Sequence, residues 1–308
     1  MSTNQAFERG YEFLDAAHAA LIHGHAGAIE ELGRDLQRYR SELAGDWPDF
    51  ARTHCRRHPV QEKIQESPFT RRCSQQPRGY PGDPVILDYI FGYNSLDGVS
   101  DLGRAIYERE RCQTSCRSVR ARRDRLAAKI DETARRVSQP RILSVACGHL
   151  REAQISEAVA SGAIGDFVAL DQDPESAAVV SREQRSNGIR PLCATIRSLL
   201  SGKAGLDQPF DFVYAAGLYD YLKDAVAARL TSILFNMLRP GGSLLVANFH
   251  SDCPDVAGME AILTWWLVYR DEKQMSRLCS EIDPAQVAES KVYRDELRNL
   301  VYLEVLHA

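Results

Sequence analysis

The sequence lacks any apolar run close to the roughly 18 residues that a membrane-spanning helix needs. Its first residues also lack the basic start and apolar stretch of a secretion signal. We therefore expect a cytoplasmic protein without a membrane partner. The eight cysteines show none of the short paired spacings that form zinc sites or secreted disulfide frameworks, so we expect no metal site.

Strong charge of either sign is missing as well. The net charge of -4 gives no global reason to expect nucleic acid as a partner. One local exception lies between Arg104 and Arg136, where 11 Lys and Arg residues stand against 5 Asp and Glu residues. Because no aromatic residues that stack on bases interleave with the stretch RSVRARRDRLAAK, the pattern favours a solvated helix face over nucleic-acid binding.

The chain changes character at Pro140. Before it, apolar residues recur at helical spacing, interrupted by a Pro- and Gly-rich stretch over 67–84 that predicts an irregular loop. After it, five short apolar runs alternate with helical stretches, which predicts a doubly wound α/β fold with a buried parallel sheet. A long helical segment, GMEAILTWWLVYRDEKQMSRLCSEI, and an edge hairpin follow. We expect a helical domain over 1–137, which encloses the ligand as a lid, and a Rossmann-like domain over 138–308.

The loop after the first predicted strand, in RILSVACGHLREA, is the default ligand site of such a sheet. Gly148 permits a tight turn, and the helix expected to follow offers free amide groups. The loop has neither the three-glycine dinucleotide fingerprint nor a phosphate-binding GK[ST] sequence. Nicotinamide cofactors and nucleoside triphosphates are therefore disfavoured.

The second predicted strand ends in ALDQDP, which places Asp171 23 residues after Gly148. A carboxylate at this position can accept both hydroxyls of a ribose. Alternatively, Gly148 only ends a strand and Asp171 only caps a helix. Taken together at this spacing, the two residues indicate a ribose without a pyrophosphate.

Four segments, RILSVACGHLREA, DFVALDQDP, FDFVYAAGLYDYL and LRPGGSLLVANF, resemble in order and spacing the strand motifs of class I S-adenosylmethionine-dependent methyltransferases. The resemblance covers roughly 139–305 and implies the seven-stranded sheet of that superfamily, with S-adenosylmethionine as cofactor. The first loop departs from G-x-G-x-G, with Ala146 and Leu150 at the outer positions. An upstream GYPGDP loop is similar to that of a bacterial branch linked to signalling and secondary metabolism.

The resemblance also implies positions for the cofactor-binding residues. Ala146 and Gly148 would border the methionine part, and Glu152 would anchor its amino group or pair with an arginine. The remaining contacts are Asp171 and Gln172 at the ribose, Thr195 and Ile196 at the adenine, and Ala216 and Gly217 near the sulfonium.

Methyl transfer is a direct displacement, so the catalytic residues can be few. Aromatic rings favour the cationic sulfonium. The candidates are Tyr80, Asp83 and Tyr93 in or near the GYPGDP loop, together with Tyr219 and Asn248 at strand ends. For the loop, the alternative is a rigid connector between helices. For the aromatic residues, it is core packing.

Three readings stay open at this point. The first is a methyltransferase for a small molecule, and the second is an enzyme whose sole substrate is S-adenosylmethionine. In the second, the substrate cyclises to azetidine-2-carboxylate and methylthioadenosine is released. The third is a silent sensor that binds a partner through the basic helix. A homodimer is compatible with each.

Overall fold

The computed structural model describes residues 3–206 and 208–308, with side chains from residue 7 onward. Met1 and Ser2, part of the stretch searched for a secretion signal, lie outside the described residues. The chain forms two compact units. The helical unit holds the chain up to Val119 together with Asp252–Trp266, and the sheet unit holds Arg120–Ser251 and Leu267–Ala308.

Helices precede the sheet in the chain. They are α1 (Thr3–Ile22), α2 (Ala28–Leu43), α3 (Trp47–Asp49), α4 (Val60–Ile64), α5 (Pro68–Gln75), α6 (Pro84–Phe91), α7 (Asp101–Glu110) and α8 (Thr114–Arg136). A six-residue π-helix, Phe50–Cys55, lies between α3 and α4. The prediction of a loop over the whole of 67–84 is wrong for its first half. Helix α5 begins there, with Pro68 at its first position.

The strands are β1 (Arg141–Val145), β2 (Asp166–Asp171), β3 (Ile189–Cys193), β4 (Phe210–Ala215), β5 (Leu238–Phe249), β6 (Val287–Arg294) and β7 (Leu300–His307). The helices between them are α9 (Glu157–Ala160), α10 (Pro174–Glu183), α11 (Ile196–Leu200), α12 (Asp224–Phe235), α13 (Val256–Ala261) and α14 (Glu272–Arg277). The sheet order is β3-β2-β1-β4-β5-β7-β6. Strands β1 to β5 are parallel, and β7 is antiparallel to both neighbours. The predicted doubly wound, Rossmann-like seven-stranded sheet and its edge hairpin are confirmed.

The two faces of the sheet follow from the alternation along each strand. Leu143 and Val145 of β1 belong to a buried apolar cluster that also includes residues of α11, α12 and α14. Residues between them, such as Ser144, point to the other face. Helix α8 contacts the sheet, where Lys129 of α8 donates to Glu304 of β7 at 2.5 Å.

The predicted long helix after β5 is wrong. Helix α13 ends at Ala261 and α14 begins at Glu272, with an irregular segment between them. In that segment Thr264 has a φ of +54°, which a helix does not permit. The apolar residues of this segment matched a helical period, but their burial against separate parts of the fold decides the backbone.

The structure also divides the chain at other points than the predicted boundary near 138. Helix α8 runs through the division between Val119 and Arg120, and Asp252–Trp266 joins the helical unit. There the buried carboxylate of Glu260 accepts hydrogen bonds from Arg40 at 2.8 Å and from the Trp47 indole at 2.7 Å. These contacts join residues more than 200 positions apart, so no local pattern could reveal them.

Within the described ranges, no helix is both long and apolar enough to cross a membrane.

Candidate functional site

The carboxyl ends of β2, β1 and β4 meet at one edge of the sheet, because these strands are parallel neighbours. The chain leaves β1 at Val145, with β2 on one side of it and β4 on the other. This change of direction in strand order is where open α/β sheets bind ligands. The loops after β1 and β4 therefore border the candidate site.

The loop after β1 has an unusual backbone. Ala146, Gly148 and Leu150 have φ angles of +54°, +54° and +51°. A left-handed conformation costs a non-glycine residue roughly 1–2 kcal/mol. The three left-handed residues occupy the glycine positions of a G-x-G-x-G sequence, although only Gly148 is a glycine here. Burial of the Leu150 side chain offsets the strain at that residue.

Asp171 and Gly148 meet as the sequence predicted. The Gly148 amide donates to Oδ2 of Asp171 at 2.8 Å, and the Asp173 amide donates to Oδ1 at 2.9 Å. Burial raises the pKa of Asp171, while these two amides act in the opposite direction. A carboxylate can accept about four hydrogen bonds. Asp171 therefore keeps acceptor capacity for a ligand at the strand edge.

No helix begins directly after this loop, contrary to expectation. A short 3₁₀ turn, Ala153–Ile155, follows, and α9 starts only at Glu157 with Ser156 as its N-cap. Asp131 accepts hydrogen bonds from the Ser156 hydroxyl and the Ala158 amide at this end. The Ala158 and Val159 amides at the start of α9 are thus already bonded to side chains and are not free for a phosphate. This geometry separates the site from dinucleotide-binding sites.

Glu152 lies beneath the same loop with a largely buried side chain. The Tyr214 hydroxyl of β4 donates to its Oε1 at 2.7 Å. Burial raises the pKa of Glu152, while Tyr214 and the positive charges of Arg122 and Arg123 act in the opposite direction. The second carboxyl oxygen is available to a cationic group, which fits the predicted anchoring of an amino group.

The residues predicted at the adenine lie beside Asp171. The Ala194 amide donates to the Asp171 carbonyl at 2.9 Å, which brings the start of α11 next to the end of β2. Thr195 caps α11 through the Ser198 amide, and Ile196 is the first helical residue. Gln172 is exposed next to Asp171.

Ala216 and Gly217 follow β4 directly and are half-buried. A Cβ atom added at Gly217 would lie 4.0 Å from Nη2 of Arg122. The structure thus gathers at one edge the predicted set from the sheet unit, which is Ala146, Gly148, Glu152, Asp171, Gln172, Thr195, Ile196, Ala216 and Gly217.

Tyr219 and Asn248, both predicted to be catalytic, contact other residues of the sheet unit. Tyr219 is fully buried, and its hydroxyl pairs with Thr231 at 3.0 Å. Asn248 accepts from the buried guanidinium of Arg270 at 2.6 Å and donates to the Val268 carbonyl at 2.8 Å. Arg270 also donates to the Tyr219 carbonyl at 2.8 Å. These contacts lie at the ends of β4 and β5, and a catalytic role for either residue stays a prediction.

Asp83 is likewise engaged within the helical unit. It is 1% exposed and caps α6 by accepting from the Val85 and Ile86 amides, both at 3.0 Å. Arg72 donates hydrogen bonds to the Asp83 carboxylate, from Nη2 at 2.7 Å and from Nε at 3.0 Å. These bonds use much of the acceptor capacity of Asp83, and its role as a catalytic residue stays a prediction.

Tyr80 and Tyr93 also belong to the helical unit. Tyr80 is half-buried in the turn before Asp83, and Tyr93 is 47% exposed after α6. The lid role expected for the GYPGDP loop stays a prediction.

Two further charged residues lie at this edge, Arg122 and Asp220, and Arg122 was not among the residues predicted for the site. Arg122 was assigned to a solvated helix face, yet it is only 6% exposed. Its spacing from the buried Val119 and Leu126 puts it on the apolar stripe of α8, a signal that the charge count concealed. Burial raises the pKa of Asp220 to about 6, against the opposing effect of Arg122 and Arg270.

No protein-family model matches the chain, and no curated protein matches it in sequence. Solved structures do match it. A Bordetella parapertussis protein described as a possible exported protein superposes with a TM-score of 0.55 at 17% identity, covering 77% of this chain and 94% of its own. At this identity the similarity is one of fold.

Weaker matches include the S-adenosylmethionine-dependent methyltransferase SibL, with a TM-score of 0.46 and 17% identity over 78% of this chain and 74% of its own. The N-methyltransferase NodS from Bradyrhizobium japonicum, in complex with S-adenosyl-L-homocysteine, matches with a TM-score of 0.42 and 14% identity. That match covers 61% of this chain and 87% of its own.

Proposed function

We propose that this protein is an S-adenosylmethionine-dependent methyltransferase that acts on a small molecule. The observation that carries the proposal is the contact of Gly148 with Asp171 at the carboxyl edge of a methyltransferase-type sheet. The acceptor capacity of Asp171 suits a ribose, and the absence of a helix start in the loop after β1 leaves no cradle for a pyrophosphate. An adenosyl group without phosphate satisfies both conditions.

The buried carboxyl of Glu152 supports the same ligand, because an ammonium on the amino-acid part would satisfy it. When bound, S-adenosylmethionine supplies a methyl group on a sulfonium, which an acceptor takes by direct displacement. The chain's own residues would then orient the two reactants, with Asp171 at the ribose and Glu152 at the ammonium.

The contacts of α8 favour a small acceptor over nucleic acid. Several of its basic residues are engaged within the sheet unit and do not form a free positive surface. Arg125 lies over the rings of Tyr293 and Tyr302, and Lys129 pairs with Glu304. Phosphates would therefore compete with contacts that Arg125 and Lys129 already make.

One observation favours a second reaction, the cyclisation of S-adenosylmethionine. There the α-amine attacks the γ-carbon of the same molecule, the carbon–sulfur bond breaks, and methylthioadenosine leaves with the electron pair. The α-ammonium must first lose a proton, and burial raises the proton affinity of Glu152. Glu152 would accept that proton in this reading.

The first experiment tests the ligand. We expect calorimetry to show binding of S-adenosylhomocysteine and none of NAD⁺ at comparable concentrations. Tighter binding of NAD⁺ would overturn the assignment.

The second experiment separates the reactions. The protein is incubated with S-adenosylmethionine alone and then with a panel of small acceptors, and products are identified by mass spectrometry. S-adenosylhomocysteine that forms only with an acceptor supports methyl transfer. Methylthioadenosine with azetidine-2-carboxylate, formed without an acceptor, supports cyclisation. Binding without turnover would indicate the sensor reading.

A further inference from the structure

Arg122 is a buried cation that makes no hydrogen bond or ion pair within residues 3–206 and 208–308. The side chain is 6% exposed, and its nitrogens retain contact with solvent. Burial of a charged group costs several kcal/mol unless a partner compensates. Structural arginines in the same unit are compensated, as Arg270 is by four oxygen acceptors. Arg122 is therefore a candidate for binding an anion.

The position of the guanidinium narrows the choice of anion. Nη2 lies near Gly217, at the carboxyl end of β4. The positive charge of Arg122 also works to lower the pKa of two nearby carboxyls. These are the carboxyl of Glu152, after β1, and that of Asp220, after β4. Arg122 therefore faces the same edge of the sheet as the loop that contains Gly148.

Neither neighbouring carboxyl takes Arg122 as its hydrogen-bond partner. Glu152 accepts from the Tyr214 hydroxyl, and Asp220 accepts from the Phe249 amide at 2.7 Å. A planar guanidinium fits a carboxylate through two parallel hydrogen bonds. A positive and a negative side chain at one edge match the two charges that an α-amino acid has on a single carbon.

We propose that Arg122 binds the α-carboxylate of the amino-acid part of the ligand while Glu152 holds its α-ammonium. This inference rests on the proposed function, because it assumes the adenosyl ligand that Asp171 receives. Arg122 is then a positioning residue that sets specificity. It favours a ligand with an intact amino-acid end over one that lacks the carboxylate.

The test compares three ligands by calorimetry on the full chain. S-adenosylhomocysteine has the carboxylate and the amine, decarboxylated S-adenosylhomocysteine has only the amine, and methylthioadenosine has neither. We expect the wild-type protein to bind the first about 10- to 100-fold more tightly than the second, as loss of a charged hydrogen-bonded pair implies.

Arg122→Gln should remove this preference. Affinity for S-adenosylhomocysteine should fall about 10- to 100-fold, and affinity for the decarboxylated ligand should stay within about twofold or improve. Arg122→Lys keeps the charge but loses the planar fork, so we expect an intermediate affinity. The matched control is Arg135→Gln, an exposed arginine about 20 Å further along α8, which should change neither affinity.

Two results would overturn the inference. One is equal affinity of the wild-type protein for the first two ligands, which needs no variant and holds even if Arg122→Gln fails to fold. The other is an equal loss of affinity for both ligands in a folded Arg122→Gln protein, which would indicate a structural role. Failure of all three ligands to bind the wild-type protein would instead reject the proposed function.

Discussion

Two aspartates, Asp83 in the GYPGDP loop of the helical unit and Asp171 in the sheet unit, received functional assignments from similar sequence signals. Both are almost fully buried. Asp83 accepts from two amides and from the guanidinium of Arg72. Asp171 accepts from two amides and has no cationic partner within residues 3–206 and 208–308. The comparison indicates that a buried carboxylate can bind a ligand when it keeps unused hydrogen-bond acceptors. Burial or a position in a loop does not distinguish such a carboxylate.

The sharpest way to break this comparison is Asp171→Ala. We expect at least a 100-fold loss of S-adenosylhomocysteine affinity, because two charge-assisted hydrogen bonds to the ribose are removed. Calorimetry measures the loss, and circular dichroism checks that the fold is retained. Asp173→Ala is the control, since Asp173 caps α10 two residues further on. Affinity in Asp171→Ala that matches wild type would refute the ribose assignment.

Asp83→Ala should give the opposite result. Removal of one partner of a buried ion pair and of a helix cap should lower the free energy of unfolding by about 3 kcal/mol. Affinity for S-adenosylhomocysteine should change by less than about threefold. Asp283→Ala removes a similar Asp-Pro cap at an exposed site and should cost less than about 1 kcal/mol. A stable Asp83→Ala protein with greatly reduced turnover would restore the catalytic reading.

A third buried carboxyl, that of Glu110, should make the free energy of unfolding depend on pH. Within residues 3–206 and 208–308 it accepts hydrogen bonds from the hydroxyls of Ser67 and Thr70 alone, and burial raises its pKa from 4.5 to about 7. Above pH 4.5 the unfolded chain releases this proton while the folded chain keeps it. The unfolding free energy should therefore fall as pH rises from 4.5 to 7, by up to about 3 kcal/mol.

In Glu110→Gln the free energy of unfolding should change less between pH 4.5 and 7 than in the wild-type protein. Denaturant unfolding at a series of pH values measures this change. Because Asp220 also has a raised pKa, of about 6, Asp220→Asn serves as the parallel variant in the sheet unit. A Glu110→Gln protein with the wild-type pH profile would show that Glu110 does not titrate in this range.

The smallest effect is expected at Ala146. Ala146→Gly relieves a left-handed strain but gives the unfolded chain more freedom, so the unfolding free energy should rise by less than about 1 kcal/mol. Leu150→Gly relieves the same type of strain yet should destabilise by about 2–3 kcal/mol, because a fully buried side chain is lost. Thermal unfolding distinguishes the two. Destabilisation by Ala146→Gly would contradict the strain at this position.

The sequence allowed part of the candidate site to be predicted. The sequence places Asp171 and Gly148 at one edge, because β1 and β2 are parallel neighbours that end there, and the two residues are in contact. Asp83, Tyr219 and Asn248 were assigned to chemistry, because their residue types and strand-end positions suit it. Their actual partners, including Arg72 and Arg270, come from other parts of the chain and leave no local pattern.

By itself, the sequence determined the features that neighbouring residues control. These are the apolar runs that form the parallel strands, the Asp-Pro pairs that start helices, and the loop without a phosphate signature. Tertiary structure alone decided the division into units and which carboxylates keep free acceptors. Desolvation and hydrogen-bond saturation depend on groups that the fold brings together from distant positions, so they become defined only when the chain is packed.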